Sequence, residues 1–252
     1  IIGCGRFGSM MLAQIMRACG MTVAVACDLM EQRAYEALKR GGYDVSQTTF
    51  VRNASEANDN IRKGSTVVTD RVDVAIEADV DVIVEATGNP DAGTRHALAA
   101  ILSGKHVVMV NVETDVLVGP ILKLIADRNG VVYSLAYGDQ PAIIEELYNW
   151  AIGLGFEVIA AGKGTQFLPE YRKGTPVDAL VRYGYSAEDA ARDDLNPKMY
   201  NSFLDGTKSA VEMCSVSNMT GLVPDVPGMH FPSGGIVQLP TLLRPESDGG
   251  IL

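Results

Sequence analysis

Positive charge is scarce in this chain. Lys and Arg number 21 against 31 Asp and Glu, a formal net charge of -10 over 252 residues. A polyanion meets long-range repulsion from such a balance, so neither nucleic acid nor an anionic membrane is expected as the main partner. Cysteine is scarce too: Cys4, Cys19, Cys27 and Cys214 are irregularly spaced, with no Cys-x-x-Cys pair, which argues against a disulfide framework. The three histidines, His96, His106 and His230, are scattered without zinc-type spacing, and His106, opening a strand, reads as structural. No apolar run approaches the roughly 18 residues of a membrane span, and no signal-like segment is present. A reduced, soluble, cytoplasmic chain is expected, with a small molecule as ligand. Hydrophobic residues at 47% and charged residues at 21% are ordinary globular usage. The chain opens two residues ahead of a glycine motif that normally follows a strand of about five residues. It stops at Gly249-Gly250-Ile251-Leu252 as though a strand were starting. Part of the working protein is therefore expected to lie beyond these ends.

From Ile1 to about Leu135, short apolar runs alternate with helical patterns at the spacing of parallel strands joined by crossover helices. Strands are expected at Ile1 to Gly3, Thr22 to Cys27, Thr66 to Thr69, Asp81 to Ala86, His106 to Val110 and Val131 to Leu135. Helices are expected at Phe7 to Cys19, Glu31 to Arg40, Ala54 to Lys63, Pro90 to Ser103 and Pro120 to Asn129, several closed by glycine. This is the rhythm of an α/β Rossmann domain with a doubly wound parallel sheet. After Leu135 it changes. A helix from Pro141 to Leu154, a strand from Phe156 to Ala161, a Gly-, Pro- and charge-rich stretch from Gly162 to Asn196, and a long helix from Pro197 to Met219 suggest a mixed α/β substrate domain. The expected division is a dinucleotide-binding domain over 1–135 and a catalytic domain over 136–252.

Gly3-Cys4-Gly5-Arg6-Phe7-Gly8 matches G-x-G-x-x-G between an expected strand and an expected helix. Its glycines let the backbone turn tightly and approach a pyrophosphate, whose charge rests on the helix N-terminus. Asp28 lies 20 residues past Gly8 at the end of the second strand, where a carboxylate accepts the ribose hydroxyls of NAD and repels the 2'-phosphate of NADP. NAD is expected over NADP. Arg33 could serve NADP if the loop from Leu29 to Gln32 turned toward the site; a helix-surface arginine is the other reading. The fourth and fifth strands end in Glu85-Ala86-Thr87-Gly88-Asn89 and Val110-Asn111, at the sheet edge where such folds bind ligands. Thr87 and Gly88 are expected beside the nicotinamide ribose, with Asn111 nearby; a plain turn before the helix opened by Pro90 is the alternative.

These features resemble a known family. Residues 1–135, with Glu85 to Gly88 and the run from Gly104 to Asn111, are similar to the nucleotide domain of the homoserine dehydrogenase family. Tyr133 to Pro141, Ala161 to Thr165, Phe203 to Met213 and Met219 to Pro224 resemble the reductoisomerase-like branch of that family. The resemblance implies NAD(P)-dependent oxidoreduction. In one type of that branch it implies conversion of 1-deoxy-D-xylulose 5-phosphate to 2-C-methyl-D-erythritol 4-phosphate. Asn111-Val112 stands where homoserine dehydrogenases usually carry Asn-Lys, and the family's C-terminal SAF-type region is not in this chain.

Within the helix expected at Pro197 to Met219, Lys198, Asn201, Asp205, Lys208 and Glu212 recur at three and four residues, placing them on one stripe. Met199, Phe203, Ala210 and Cys214 lie opposite. Such a stripe also suits a solvated face. Gly206 in its middle, which costs a helix about 1 kcal/mol against alanine, and the family resemblance favour a functional reading. Hydride moving to a carbonyl leaves an alkoxide, so a positioned ammonium lowers the barrier and delivers a proton. Lys208 and Lys163, the latter between Gly162 and Gly164, are the candidates; a solvated loop lysine is the alternative for Lys163. Asp205 and Glu212 would orient the lysine, bind substrate hydroxyls or hold a divalent metal ion. A thioester route is disfavoured, since Cys4 lies in the glycine loop, Cys27 on a strand and Cys214 on the apolar side of the helix. The expected activity is hydride transfer to or from a small polyhydroxylated or phosphorylated carbonyl compound, in a homo-oligomer. The alternatives are an NAD-dependent homoserine dehydrogenase-type enzyme and a non-catalytic NAD(H)-binding sensor.

Overall fold

The computed structural model describes residues 1–192 and 195–252, and the chain divides into two compact units, Ile1–Asp139 and Gln140–Leu252. In the first unit, six parallel strands form around the opening segment: β1 (Val25–Cys27), β2 (Thr49–Phe50), β3 (Val67–Thr69), β4 (Val82–Glu85), β5 (His106–Met109) and β6 (Tyr133–Leu135). The two ladders run β1-β3-β2 and β4-β5-β6, and Ile2 bridges them by pairing with Cys27 and Glu85. The Ile2 amide donates to Val84 at 2.9 Å, the Gly3 amide to Cys27 at 2.8 Å, and the Ala86 amide to Ile2 at 2.8 Å. The chain thus starts mid-sheet, builds outward on one side, then crosses to build on the other. That reversal makes the carboxyl ends of the opening segment and β4 the topological switch point, where sheets of this kind bind ligands.

Successive strand residues point to opposite faces, so a strand buried at consecutive positions is covered on both. Val67, Val68 and Thr69 are each 0% exposed. The two-residue strand β2 and the helix Val72–Glu77 were not expected from the pattern; β2 is a short edge strand on β3, in register Thr49↔Val67. The helix expected from Pro120 begins instead at Val112 and runs to Arg128. Asn111 caps it, accepting from the Thr114 amide at 3.2 Å, and Pro120 falls inside it.

The second unit is built from helices and loops, with no strand among the described residues. The strand expected at Phe156 to Ala161 is not formed, so the β content of a mixed α/β domain is not realised among those residues. An extended segment becomes a strand only when a neighbour completes its ladder, and here Phe156 and Ile159 stand 61% and 57% exposed. Gln140–Gly153 is helical, and Tyr148 hydroxyl donates to Thr220 carbonyl at 3.3 Å. A core of Ala179, Leu195, Tyr200 and Leu204 joins the helices Pro176–Arg182 and Pro197–Leu204. Positions 193–194, within the stretch expected to carry only short helical pieces, lie outside the described residues.

The single helix expected over Pro197 to Met219 is two, Pro197–Leu204 and Thr207–Thr220. Gly206 breaks it in the left-handed conformation, φ 87°, which only glycine adopts without cost. Asp205 stabilises the break: one carboxylate oxygen accepts from the Thr207 amide and hydroxyl at 2.8 and 2.7 Å, and the other accepts from Asn201 Nδ2 at 2.8 Å. Helical spacing cannot be carried through this turn, so the stripe from Lys198 to Glu212 is not one continuous face.

Candidate active site

The three motif glycines differ in what surrounds them. Gly3 has φ 94°, and a Cβ there would lie 2.7 Å from the Ala86 carbonyl carbon, so the turn packs directly on the end of β4. A Cβ on Gly8 would lie 2.0 Å from the Gly3 carbonyl oxygen, which sets how closely the helix Arg6–Ile15 meets the sheet. Gly5 faces open space and heads that helix with no side chain capping it. Tight turn, open approach and close helix packing are the three tasks a pyrophosphate loop assigns to its glycines. Arg6 and Phe7 are exposed in the first turn of the helix.

Asp28 is locked to this loop. Its Oδ2 accepts from the Cys4 amide at 2.9 Å and its Oδ1 from the Met30 amide at 3.0 Å. Both carboxylate oxygens retain further acceptor capacity for ribose hydroxyls. Arg33 stands exposed on the next helix, Glu31–Gly41.

At the end of β4, Thr87 is exposed and donates its hydroxyl to Glu85 at 2.5 Å, and Gly88 takes φ 69°. Asn111 is only 2% exposed; besides capping its own helix it donates Nδ2 to the Asn89 carbonyl at 3.0 Å. The structure therefore places it as a brace between the two loop ends. Glu85, to which the sequence reading assigned no role, is 0% exposed, with His96 Nδ1 3.3 Å from the same oxygen that accepts from Thr87. Its signal was a carboxylate closing an otherwise apolar strand. Deeper in, Tyr133 hydroxyl donates to Asp115 at 3.0 Å, and burial first, then the Asp115 charge, pushes that phenol well above its ordinary range.

In the second unit, Lys163 forms an ion pair with Glu212, their side chains 17% and 3% exposed. The carboxylate sits on the inner face of the helix Thr207–Thr220, which is polar: Ser209, Glu212 and Ser215 are buried there with Val216. Lys208, half-buried, lies one turn before Glu212 on the same helix face. Of the expected catalytic residues, Lys163 and Glu212 are brought into contact, while Asp205 is committed to holding the helix break. Asp205 and Glu212, expected as possible ligands of a divalent ion, are engaged here with Thr207 and Asn201 and with Lys163 respectively. Among the described residues no three His, Cys, Asp or Glu side chains gather to hold an ion.

Cys214 is exposed, not on a covered apolar side, because the helix turns Ser209, Glu212 and Ser215 inward instead. Burial, ahead of all charge effects, raises the Cys4 thiol to about 11 and the Cys27 thiol to about 12. Thiolate is the reactive form, so iodoacetamide at about pH 8 should alkylate Cys19 and Cys214 and leave Cys4 and Cys27 unmodified. Peptide mass mapping checks this; labelling of Cys4 in the folded chain would contradict the burial argument. One further pair was not anticipated: His230 Nδ1 is bonded to the Asp225 carboxylate.

A doubly wound parallel sheet, a three-glycine loop at its reversal and an acid at the end of the next strand define a Rossmann-type dinucleotide-binding protein. The chain belongs to the homoserine dehydrogenase NAD-binding domain family, whose model matches residues 3–133, and residues 138–252 match the catalytic domain of the oxidoreductase DRL. It carries an NAD-binding domain. No curated protein is significantly similar to it in sequence. Among solved structures, a DOX-P reductoisomerase in complex with magnesium is 16% identical, over 88% of this chain and 56% of that one, with a TM-score of 0.48. A homoserine dehydrogenase from Thiobacillus denitrificans is 22% identical over 87% and 47%, TM-score 0.48. A 1-deoxy-D-xylulose 5-phosphate reductoisomerase from Zymomonas mobilis in complex with NADPH is 18% identical over 88% and 57%, TM-score 0.46. The chain spans about half the length of these structures. No helix among the described residues is long and apolar enough to cross a membrane.

Proposed function

We propose that the chain is the core of an NAD-dependent oxidoreductase acting on a small polyhydroxylated or phosphorylated carbonyl compound. The observation that carries this reading is the Lys163–Glu212 ion pair on the polar inner face of the helix Thr207–Thr220. Gly3, Gly5 and Gly8 would hold the pyrophosphate, Asp28 the adenosine ribose, and Thr87 and Gly88 the nicotinamide end. The bound dinucleotide supplies a hydride donor or acceptor at its nicotinamide ring. Glu212 fixes the Lys163 ammonium in a place of low water content, where a fixed charge opposes a developing alkoxide more strongly than it would in water. Lys208, on the same helix face as Glu212, adds a second cation for a phosphate or hydroxyl group. A reducing compartment such as the cytoplasm suits the four free cysteines. Assembly as a homo-oligomer suits the exposed stripe Leu147, Trp150 and Leu154.

The test follows NADH and NADPH absorbance separately with homoserine, 1-deoxy-D-xylulose 5-phosphate and a panel of sugar acids. Turnover of a polyhydroxylated or phosphorylated compound supports the reading. Turnover of homoserine alone favours the homoserine dehydrogenase type, and dinucleotide binding without turnover favours a sensor. Coenzyme choice has its own prediction. Asp28→Asn keeps an acceptor for the Cys4 amide but removes the charge that repels a 2'-phosphate, leaving Arg33 to attract it. The ratio of kcat/KM for NADPH over NADH should rise at least about tenfold. An unchanged ratio would show that Asp28 does not meet the ribose.

A further inference from the structure

Three segments of the second unit meet at one aromatic pair. The rings of Phe167 and Phe231 have centroids 4.3 Å apart. Both face Gly206, where a Cβ would lie 3.2 Å from Phe231 and 3.5 Å from Phe167. Arg172 lies over both rings, at 5.5 and 6.0 Å. Phe167 follows Lys163 by four residues, Gly206 separates Asp205 from Thr207 and Lys208, and Phe231 directly follows His230. The pair therefore draws the Lys163 loop, the turn before Lys208 and the His230 segment to one junction.

Within that segment His230 is oriented. Partial desolvation works to raise the Asp225 carboxyl, but the hydrogen bonds from His230 and the Val226 amide outweigh it and hold the group below its usual range. An ionised carboxylate only accepts, so Nδ1–H donates to it and Nε2 is the nitrogen left for a ligand. The imidazole is 49% exposed, open to a ligand, while the Asp225 side chain is 18% exposed. Met229, just before it, is at φ 63°, the one non-glycine residue at positive φ among those described. That left-handed conformation is unfavourable for a residue with a side chain and is kept where the surroundings impose it, often at functional sites. An imidazole tied to a carboxylate through one nitrogen and free at the other is the arrangement of a general base and its orienting group.

We propose that His230 is the proton carrier of the oxidoreduction, with Asp225 as its positioning residue; this rests on the oxidoreductase reading above. In the oxidising direction the substrate hydroxyl O–H bond breaks and its proton passes to His230 Nε2. The electron pair of the adjacent C–H bond leaves as hydride to the oxidised pyridine dinucleotide, and the C–O bond becomes a carbonyl. Substrate is oxidised by two electrons, dinucleotide is reduced by two, and the reverse direction returns the proton from Nε2. Among the described residues, the charged groups seen at the imidazole segment are Asp225, bonded to His230, and Arg172, over the Phe231 ring.

The experiment uses the full chain, its His230→Gln and Asp225→Asn variants, and the panel compound that the wild-type protein turns over. His230→Gln should lower kcat by about 100- to 10,000-fold, abolish the acid limb of the pH–rate profile and leave NADH affinity by calorimetry within twofold. A second readout needs no turnover. Long-range proton–nitrogen NMR, with the His230 signals assigned by their loss in His230→Gln, should show a single Nδ1–H tautomer in the wild type and a mixture in Asp225→Asn, since an amide can donate as well as accept. Should His230→Gln fail to fold, Asp225→Asn carries the test, with kcat expected to fall at least tenfold. Turnover of His230→Gln within threefold of wild type, or an unchanged tautomer in Asp225→Asn, overturns the proposal. The oxidoreductase reading fails on a different result, the absence of NADH and NADPH binding to the wild-type chain.

Discussion

Lys163→Met is expected to cost both turnover and stability, and by large amounts. The substitution keeps the apolar stem of the side chain but removes the ammonium, leaving the Glu212 carboxylate, 3% exposed, without its cation. Removing one partner of a buried pair costs about 3–5 kcal/mol, because the remaining charge keeps its desolvation penalty and loses its compensation. In a chain of this size that corresponds to a fall in Tm of roughly 10 °C. Turnover should fall by about 100- to 1,000-fold, as when one fixed donor to a developing oxyanion is lost. The discriminating measurement is the double variant Lys163→Met/Glu212→Gln. It should recover much of the lost stability and none of the lost activity. If Lys163→Met melts with the wild type, Glu212 does not depend on Lys163, and the central element of the proposed site is gone.

Two substitutions in the glycine loop should separate packing from ligand approach. Gly8→Ala would place a methyl group 2.0 Å from the Gly3 carbonyl oxygen, a backbone atom that cannot swing aside. The helix Arg6–Ile15 must then move off the sheet, with a stability loss of about 1–3 kcal/mol and at least about a hundredfold weaker NADH binding. Gly5→Ala meets nothing within 4 Å at a backbone φ of -66° that alanine adopts freely. It should fold with unchanged Tm yet also lose NADH affinity, since its methyl group points where the pyrophosphate approaches. Calorimetry and thermal melts on the two variants decide the matter. Tight NADH binding by Gly5→Ala would mean that the diphosphate does not pass this residue.

The contrast between the two units explains what could be read in advance. In Ile1–Asp139 the strands β1 and β3 are buried at every position, so apolar residues at consecutive positions announce them, and Gly104 and Gly130 at positive φ mark helix ends. The glycine loop was legible because it combines local backbone needs with a fixed separation from Asp28. Glu85 escaped assignment because its burial depends on Thr87 and His96, which only the folded sheet edge brings to it. In Gln140–Leu252 the reading was poorer. The apolar run Phe156 to Ala161 has strand composition, but pairing is a property of two segments, and no partner lies beside it among the described residues. The helix across Gly206 looked continuous because one glycine is tolerated at modest cost. Asp205 turned that cost into a break by hydrogen-bonding Thr207.

The sequence by itself determined the Rossmann architecture, the three-glycine loop and the acid just past β1, since each rests on periodicity or on a fixed spacing along the chain. Tertiary structure alone decided that Lys163 meets Glu212, that the polar face of Thr207–Thr220 turns inward, and that the buried Glu85 carboxylate meets His96. The physical reason is that a buried charge is tolerable only beside a compensating one, and which partner supplies it is settled by packing between segments distant in sequence.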